Sequence, residues 1–311
     1  MMRVTNLTKH YPLRGGKVHA LDGVSFELNP GKTLAVVGES GCGKSTLAKV
    51  LMRIESATSG TVQLAGIDTG EVPRKDFIRQ MQMVFQDPYS SLNPRKKVWQ
   101  IVTEPLRVQG GKKSSKGEWV EAARRTLDQV GLRPEFAERY PHMLSGGQRQ
   151  RLGIARALAL EPSILICDEP VSACDVSIQS KILNLLLDLQ ERRNLAYLFI
   201  SHDLAIVRHL ADDVMVLYLG KIVEKGARAQ IFHNPLHPCT RALLGSSPSI
   251  SRGTPVHPPV VLSGELSSPL NPPPGCGLSG RCPFAVDRCR SESPALLEQA
   301  GRFVACHLAT I

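Results

Sequence analysis

The run Gly38-Glu39-Ser40-Gly41-Cys42-Gly43-Lys44-Ser45-Thr46 constrains this chain more than any other nine residues. It matches the pattern G-x-x-x-x-G-K-[ST]. An apolar run, Thr33-Leu34-Ala35-Val36-Val37, precedes it, and Leu47-Ala48-Lys49-Val50-Leu51-Met52 follows with helical character. Strand, glycine-rich turn and helix start, in that order, make an anion cradle. Glycines let backbone N–H groups turn inward around phosphate oxygens, and the helix amino terminus adds partial positive charge. In that frame Lys44 reaches the β- and γ-phosphates of a nucleotide, and the Ser45 hydroxyl is placed to ligate Mg²⁺.

A second acidic element completes the chemistry. Ile164-Leu165-Ile166-Cys167 is a short apolar run of the kind buried on both faces of a parallel sheet, and it ends in Asp168-Glu169. Asp168 is positioned to hold the Mg²⁺ shell, and Glu169 to act as general base toward an attacking water. A third apolar run, Ala196–Ile200, follows the helical pattern of residues 182–189. Strand, helix, strand in alternation predicts an α/β core. Residues 24–28 and 61–64 read as amphipathic strands of a small antiparallel sheet beside it. From about 93 to 158 the pattern is helical, clearest over 120–130 and 148–159.

Composition excludes several classes. No apolar run in the 311 residues approaches the roughly 20 needed to cross a bilayer, and Met1–Leu13 has no secretory h-region. The sequence therefore predicts a cytosolic chain whose connection to a membrane runs through a partner. The formal charge of +10 is spread along the chain, the longest cluster being Arg95-Lys96-Lys97. That distribution reads as solvated surface and not as a nucleic-acid footprint. Beyond about His233, prolines at 235, 238, 248, 255, 258, 259, 269, 272, 273, 274 and 283 make a long helix or strand improbable.

Five further features carry a family resemblance. Leu144-Ser145-Gly146-Gly147-Gln148 resembles the signature of ABC ATPases, and its last residue stands 20 positions before Asp168. Gln86, in Val84-Phe85-Gln86-Asp87-Pro88, is similar to the family's glutamine that senses Mg²⁺ and the γ-phosphate. His202, in Ile200-Ser201-His202-Asp203, resembles its switch histidine, and Tyr11 the aromatic that stacks on adenine. Ser172-Ala173-Cys174-Asp175 is similar to the dimer-contact loop, with Cys174 where the family usually has Leu. The resemblance implies ATP hydrolysis with Mg²⁺ held through Ser45, Gln86 and Asp168. It also implies a head-to-tail dimer in which Ser145, Gly146, Gly147, Gln148 and Asp175 reach the partner's nucleotide. The implied fold class is α/β: a P-loop NTPase (RecA-like) core with an antiparallel β subdomain and an α-helical signature subdomain, plus a Pro-rich C-terminal extension. The expected domains are 1–232, with helices at about 93–158, and 233–311.

Residues 85–95, 139–144, 263–266 and 270–276 resemble the ATP-binding subunits of dipeptide and oligopeptide importers. That narrower likeness implies peptide import across the inner membrane, with this chain peripheral at its cytoplasmic face. The implied partners are a second, paralogous ATPase, two permeases and a periplasmic binding protein, with no nucleic acid. Nickel, murein-peptide or antimicrobial-peptide cargo, or a non-transport ABC ATPase, are the alternatives. One departure is Cys239, where the group usually has Tyr. Of eight cysteines, Cys276, Cys282, Cys289 and Cys306 crowd the last 36 residues, with five, six and sixteen residues between them. Four thiolates suit a [4Fe–4S] cluster, the expectation adopted from the related subunits, or Zn²⁺ as the alternative, with unligated buried thiols as the remaining reading.

Overall fold

A computed structural model describes residues 1–110, 115–172, 174–246, 260–264, 267–270 and 272–309. Ala173, Glu265, Leu266 and Asn271, and the prolines at 248, 255, 258 and 259, lie outside the described residues. The chain forms two compact units, one of Gly70–Leu198 and one of Met1–Thr69 with Phe199–Ile311.

In the unit Gly70–Leu198, Met81–Val84 pairs in parallel with Ile164–Asp168, Met81 opposite Ile164 and Val84 opposite Cys167. All five residues of Ile164–Asp168 are buried, which explains the unbroken apolar run before the acidic pair. Three helices, Val98–Val108, Lys116–Gln129 and Gly146–Leu158, fill the span where the sequence pattern is helical. The middle one starts at a reciprocal cap: Ser115 N–H donates to Glu118 Oε2 at 2.6 Å and Glu118 N–H to Ser115 Oγ at 3.3 Å. Such caps satisfy orphan amide donors and are worth about 1 kcal/mol. Its inner face, Val120, Ala123 and Leu127, is buried.

The other unit contains two sheets. An antiparallel one runs in the order Gly16–Leu28, Met2–Leu13, Ser59–Leu64, Ile67–Asp68. Met2 faces Leu28 and Leu64, and Val4 faces Phe26 and Val62, all of them buried. Strict alternation would next bury Asn6. Instead Asn6 takes φ 48 and the register shifts between Val4 and Leu7, so Leu7 is the residue turned inward. In the second sheet Thr33–Val37 pairs in parallel with Asp213–Tyr218, which pairs antiparallel with Lys221–Ala227.

The carboxy-terminal segment adds to that second sheet. Arg302–Val304 pairs with Lys221–Ala227, and Leu297–Gln299 with Arg302–Val304. These strands are three residues each, as a Pro-rich stretch predicts, but they extend the sheet instead of standing apart from it. A charged centre holds them. The fully buried Glu224 accepts from Leu236 N–H at 2.9 Å and His237 N–H at 3.0 Å, and lies 3.5 Å from Arg302 Nη1. Arg302 also donates to the Gln230 carbonyl at 3.1 Å and to that of Asn234. Breaking one side of a buried pair strands the other charge. Arg302→Leu should therefore lower unfolding stability by about 3–5 kcal/mol, read from urea denaturation of the full chain.

Candidate active site

Thr33–Val37 is buried along its whole length and delivers the phosphate loop at its carboxyl end. Gly43 sits at φ 110, and a Cβ there would come within 2.3 Å of the Ala20 carbonyl oxygen. Only glycine passes that point. The helix Lys44–Leu51 begins at the next residue. Lys44 is buried, and its ammonium donates to the carbonyls of Gly38 at 2.7 Å and Glu39 at 2.9 Å. The loop thus folds around a fixed cation, with Ser45 exposed at its rim. Gly38, Cys42 and Gly43 line its buried side, and Ser40 and Gly41 are exposed. Burial keeps the Cys42 thiol above its ordinary pKa, so it remains neutral although Lys44 lies 3.8 Å away.

The same unit brings Tyr11 and His202 into the account. The Tyr11 hydroxyl donates to the Glu55 carboxylate and also engages the Thr46 side chain, which ties the tyrosine to the phosphate loop. Burial, then the Glu55 contact, holds its pKa above the ordinary phenol value. Lys9 Nζ lies 4.8 Å from the ring centroid. His202 is exposed and follows Ser201, whose N–H donates to the Val36 carbonyl at 3.2 Å. That bond sets the histidine beside the strand that carries the loop. Asp203 then caps the helix Leu204–Leu210, accepting from Ala205 N–H at 2.8 Å.

The unit Gly70–Leu198 holds the remaining residues. Asp168 ends its buried strand, and Glu169 follows in a left-handed conformation at φ 46. A glutamate held there is strained, and strain of this kind clusters at functional sites. Its carboxylate accepts from Gln86 Nε2 at 2.9 Å, and its carbonyl from Ser172 Oγ at 3.0 Å. Gln86 and Glu169, 83 positions apart in sequence, are therefore one constellation.

The signature is a helix start. Ser145 caps Gly146–Leu158: Ser145 N–H donates to Gln148 Oε1 at 2.9 Å and Gln148 N–H to Ser145 Oγ at 3.4 Å. A Cβ on Gly147 would come within 2.6 Å of Ile178 Cγ2, so this glycine admits the helix Val176–Arg193. Gly146, by contrast, is half-exposed, and a Cβ there would meet the Tyr89 hydroxyl at an ordinary contact distance of 4.0 Å. Asp175 is exposed, and its carbonyl accepts from Ile178 N–H at 2.9 Å at the start of that helix.

The family model described as "ABC transporter" matches residues 21–172, and that of the "Oligopeptide/dipeptide transporter, C-terminal region" matches residues 223–289. The di/tripeptide transport ATP-binding protein DppF of Pseudomonas aeruginosa is 51% identical, over 99% of this chain and 97% of that one. The dipeptide transport ATP-binding protein DppF of Escherichia coli is 50% identical, over 98% and 93%. The chain belongs to the ABC transporter ATP-binding proteins. Among solved structures, the dimeric ATP-binding cassette MJ0796, in a post-hydrolysis state bound to ADP and Pi, is 29% identical with a TM-score of 0.66. It covers 73% of this chain and 99% of that one. The α/β fold is that of a cassette ATPase.

One expectation is corrected. The iron–sulfur cluster at Cys276, Cys282, Cys289 and Cys306 has no support, and neither does the zinc alternative there. Neither matching family model and none of the relatives' names describes a cluster protein. No three of these sulfurs lie within 4.8 Å of one another among the described residues. Cys276 and Cys282 pack against an apolar cluster that includes Val214, Tyr218 and Leu278. Burial holds the thiols of Cys276, Cys282 and Cys306 above their ordinary pKa, which keeps them neutral. These cysteines pack as small apolar side chains.

Two partners had no local signal in the sequence. Glu55 holds Tyr11, and Arg281 Nη1 meets Glu39 Oε2 at 2.7 Å across 242 positions. Arg281 also donates to the Tyr218 hydroxyl at 3.3 Å, and the Glu39 carboxylate raises its already high pKa further. The pair neutralises an acid in the phosphate loop. Arg281→Ala should weaken ATP binding roughly fivefold, about 1 kcal/mol. Adding Glu39→Gln should restore it, as equilibrium ATP titrations of both variants would register.

Proposed function

We propose that this chain is the ATP-hydrolysing subunit that energises import of dipeptides and other short peptides through an ABC transporter. One observation carries the enzymatic half: Glu169, at the end of a buried strand, is held by Gln86 at 2.9 Å in an otherwise complete set of family motifs. The peptide half rests on the relatives, whose names are those of di/tripeptide and dipeptide transport ATP-binding proteins at about half identity over the whole chain.

In this reading the loop Gly38–Thr46 binds the β- and γ-phosphates through backbone N–H groups and Lys44. The fit is physical: a glycine cradle that a Cβ would obstruct, a buried ammonium and an acidic strand end. Ser45, Gln86 and Asp168 would hold Mg²⁺, which would supply charge neutralisation on the phosphates. Glu169 accepts the proton of the attacking water, oriented by the amide it already engages. His202 donates toward the γ-phosphate, and Tyr11 packs against the adenine. The capped amino terminus at Ser145 presents Gly146, Gly147 and Gln148, with Asp175, to nucleotide bound by a partner ATPase.

Among the described residues no helix is long and apolar enough to cross a membrane, so coupling to transport requires permease partners. A second ATPase subunit, two permeases and an extracytoplasmic binding protein make up the proposed assembly, with this chain at the cytoplasmic face. Motion passes through the Gln86 segment. Arg156, on the signature helix, donates to the Ser91 carbonyl and so links that helix to the segment.

Glu169→Gln should lower phosphate release at least about 100-fold while leaving ATP affinity within twofold of wild type. Lys44→Ala should weaken ATP binding itself. Turnover of the Glu169→Gln protein at the wild-type rate would remove the assigned base. In the reconstituted complex, di- and tripeptides should stimulate hydrolysis, and stimulation by nickel alone would overturn the cargo assignment.

A further inference from the structure

The hairpin that carries Tyr11 holds a second constellation, which the ATPase reading does not use. His10 and His19 are direct cross-strand neighbours, their ring centroids 4.1 Å apart. Asp22 lies three residues past His19 and turns one carboxylate oxygen toward each ring. His10 Nε2 is 3.5 Å from Asp22 Oδ1, and His19 Nδ1 is 3.7 Å from Asp22 Oδ2. All three ligand atoms fall within 4.8 Å of one another, and no other group of three does so among the described residues.

Two features separate this cluster from an ordinary polar network. Both ring nitrogens are buried and have no hydrogen-bond partner. Leaving such atoms unpaired is unfavourable, and a ligand would offset that cost. The separations are also telling. Direct hydrogen bonds to a carboxylate would draw these atoms to about 2.7–3.0 Å. Ligands around one tetrahedral ion at about 2.1 Å stand about 3.4 Å apart along each edge. The observed 3.5 and 3.7 Å, one to each carboxylate oxygen, are longer than direct hydrogen bonds and leave the spacing that a shared ion needs.

We propose that His10, His19 and Asp22 form a binding site for a divalent first-row transition metal of the zinc class, with a fourth position open to solvent. Two imidazoles and one carboxylate are a donor set such ions take readily. A cavity of about 220 Å³ lined by His19, Asp22, Lys221 and Pro272 adjoins the site, with room for water at the open position. Lys221 Nζ lies 3.6 Å from Asp22 Oδ2, but its side chain is about half exposed, and it also donates to Ser293 Oγ at 3.3 Å. It can turn away when an ion neutralises the carboxylate. A bound ion would bridge the two strands one residue before Tyr11 and stiffen the hairpin. The proposal stands on this geometry and does not depend on the transport assignment.

The test uses full-length protein stripped with chelator, without nucleotide, and titrated with Co²⁺. Wild type should bind one equivalent with d–d bands and no sulfur-to-cobalt charge transfer, which excludes the eight cysteines as ligands. Zn²⁺ should displace it and raise the thermal midpoint. His19→Ala and Asp22→Asn should weaken Co²⁺ binding at least about tenfold and abolish the thermal shift, while keeping the wild-type midpoint and circular dichroism in the absence of metal. Equal Co²⁺ affinity in wild type and both variants would overturn the site. So would a thiolate charge-transfer spectrum in all three proteins, or no Co²⁺ binding by wild type.

Discussion

A phosphate cradle has to be rigid before the nucleotide arrives, and here rigidity comes from burying the strand beneath it. Thr33–Val37 exposes none of its residues, so the loop that leaves it has one fixed origin. The loop then closes on the buried Lys44 ammonium, which satisfies the carbonyls of Gly38 and Glu39. Ser201 N–H, bonded to Val36, carries the same anchoring to His202. If the strand were free to slip, these hydrogen bonds would have no common reference. Preorganised donors stabilise developing charge without reorganising during the reaction, which is why enzymes spend stability on them.

The second unit applies the same rule to the acid. A strand buried along its length ends in Asp168, and the strained Glu169 follows, held by Gln86 and by Ser172. The signature applies it to a helix start, where Ser145 and Gln148 cap each other, Gly147 packs on Ile178 and Gly146 stays half-exposed. In each case a regular element fixes the position and a short irregular segment presents the chemistry.

The carboxy-terminal segment joins this scheme through long-range charge. Arg302 meets the buried Glu224, and Arg281 meets Glu39 in the phosphate loop. The segment gains its place by adding strands to an existing sheet edge, by packing Leu278, Cys276 and Cys282 on an apolar cluster, and by pairing ions. Its cysteines contribute packing, and the cluster that their number suggested is absent from what the comparisons support.

Contiguous motifs were legible in the sequence because their physics is local. Gly38–Thr46, Asp168-Glu169 and Ser145–Gln148 each combine a turn, a cap or a strand end with reactive side chains, and a dozen residues suffice to define them. The buried strands were legible as unbroken apolar runs, and the helices of the second unit as periodic ones. The sequence could not reveal that Asn6 bulges so that Leu7 faces inward. It could not pair Glu39 with Arg281, or Tyr11 with Glu55. Nor could it bring His10, His19 and Asp22 to one point. Those placements depend on strand register and on contacts across up to 242 positions, where no local propensity acts and only the packed chain decides which charges meet.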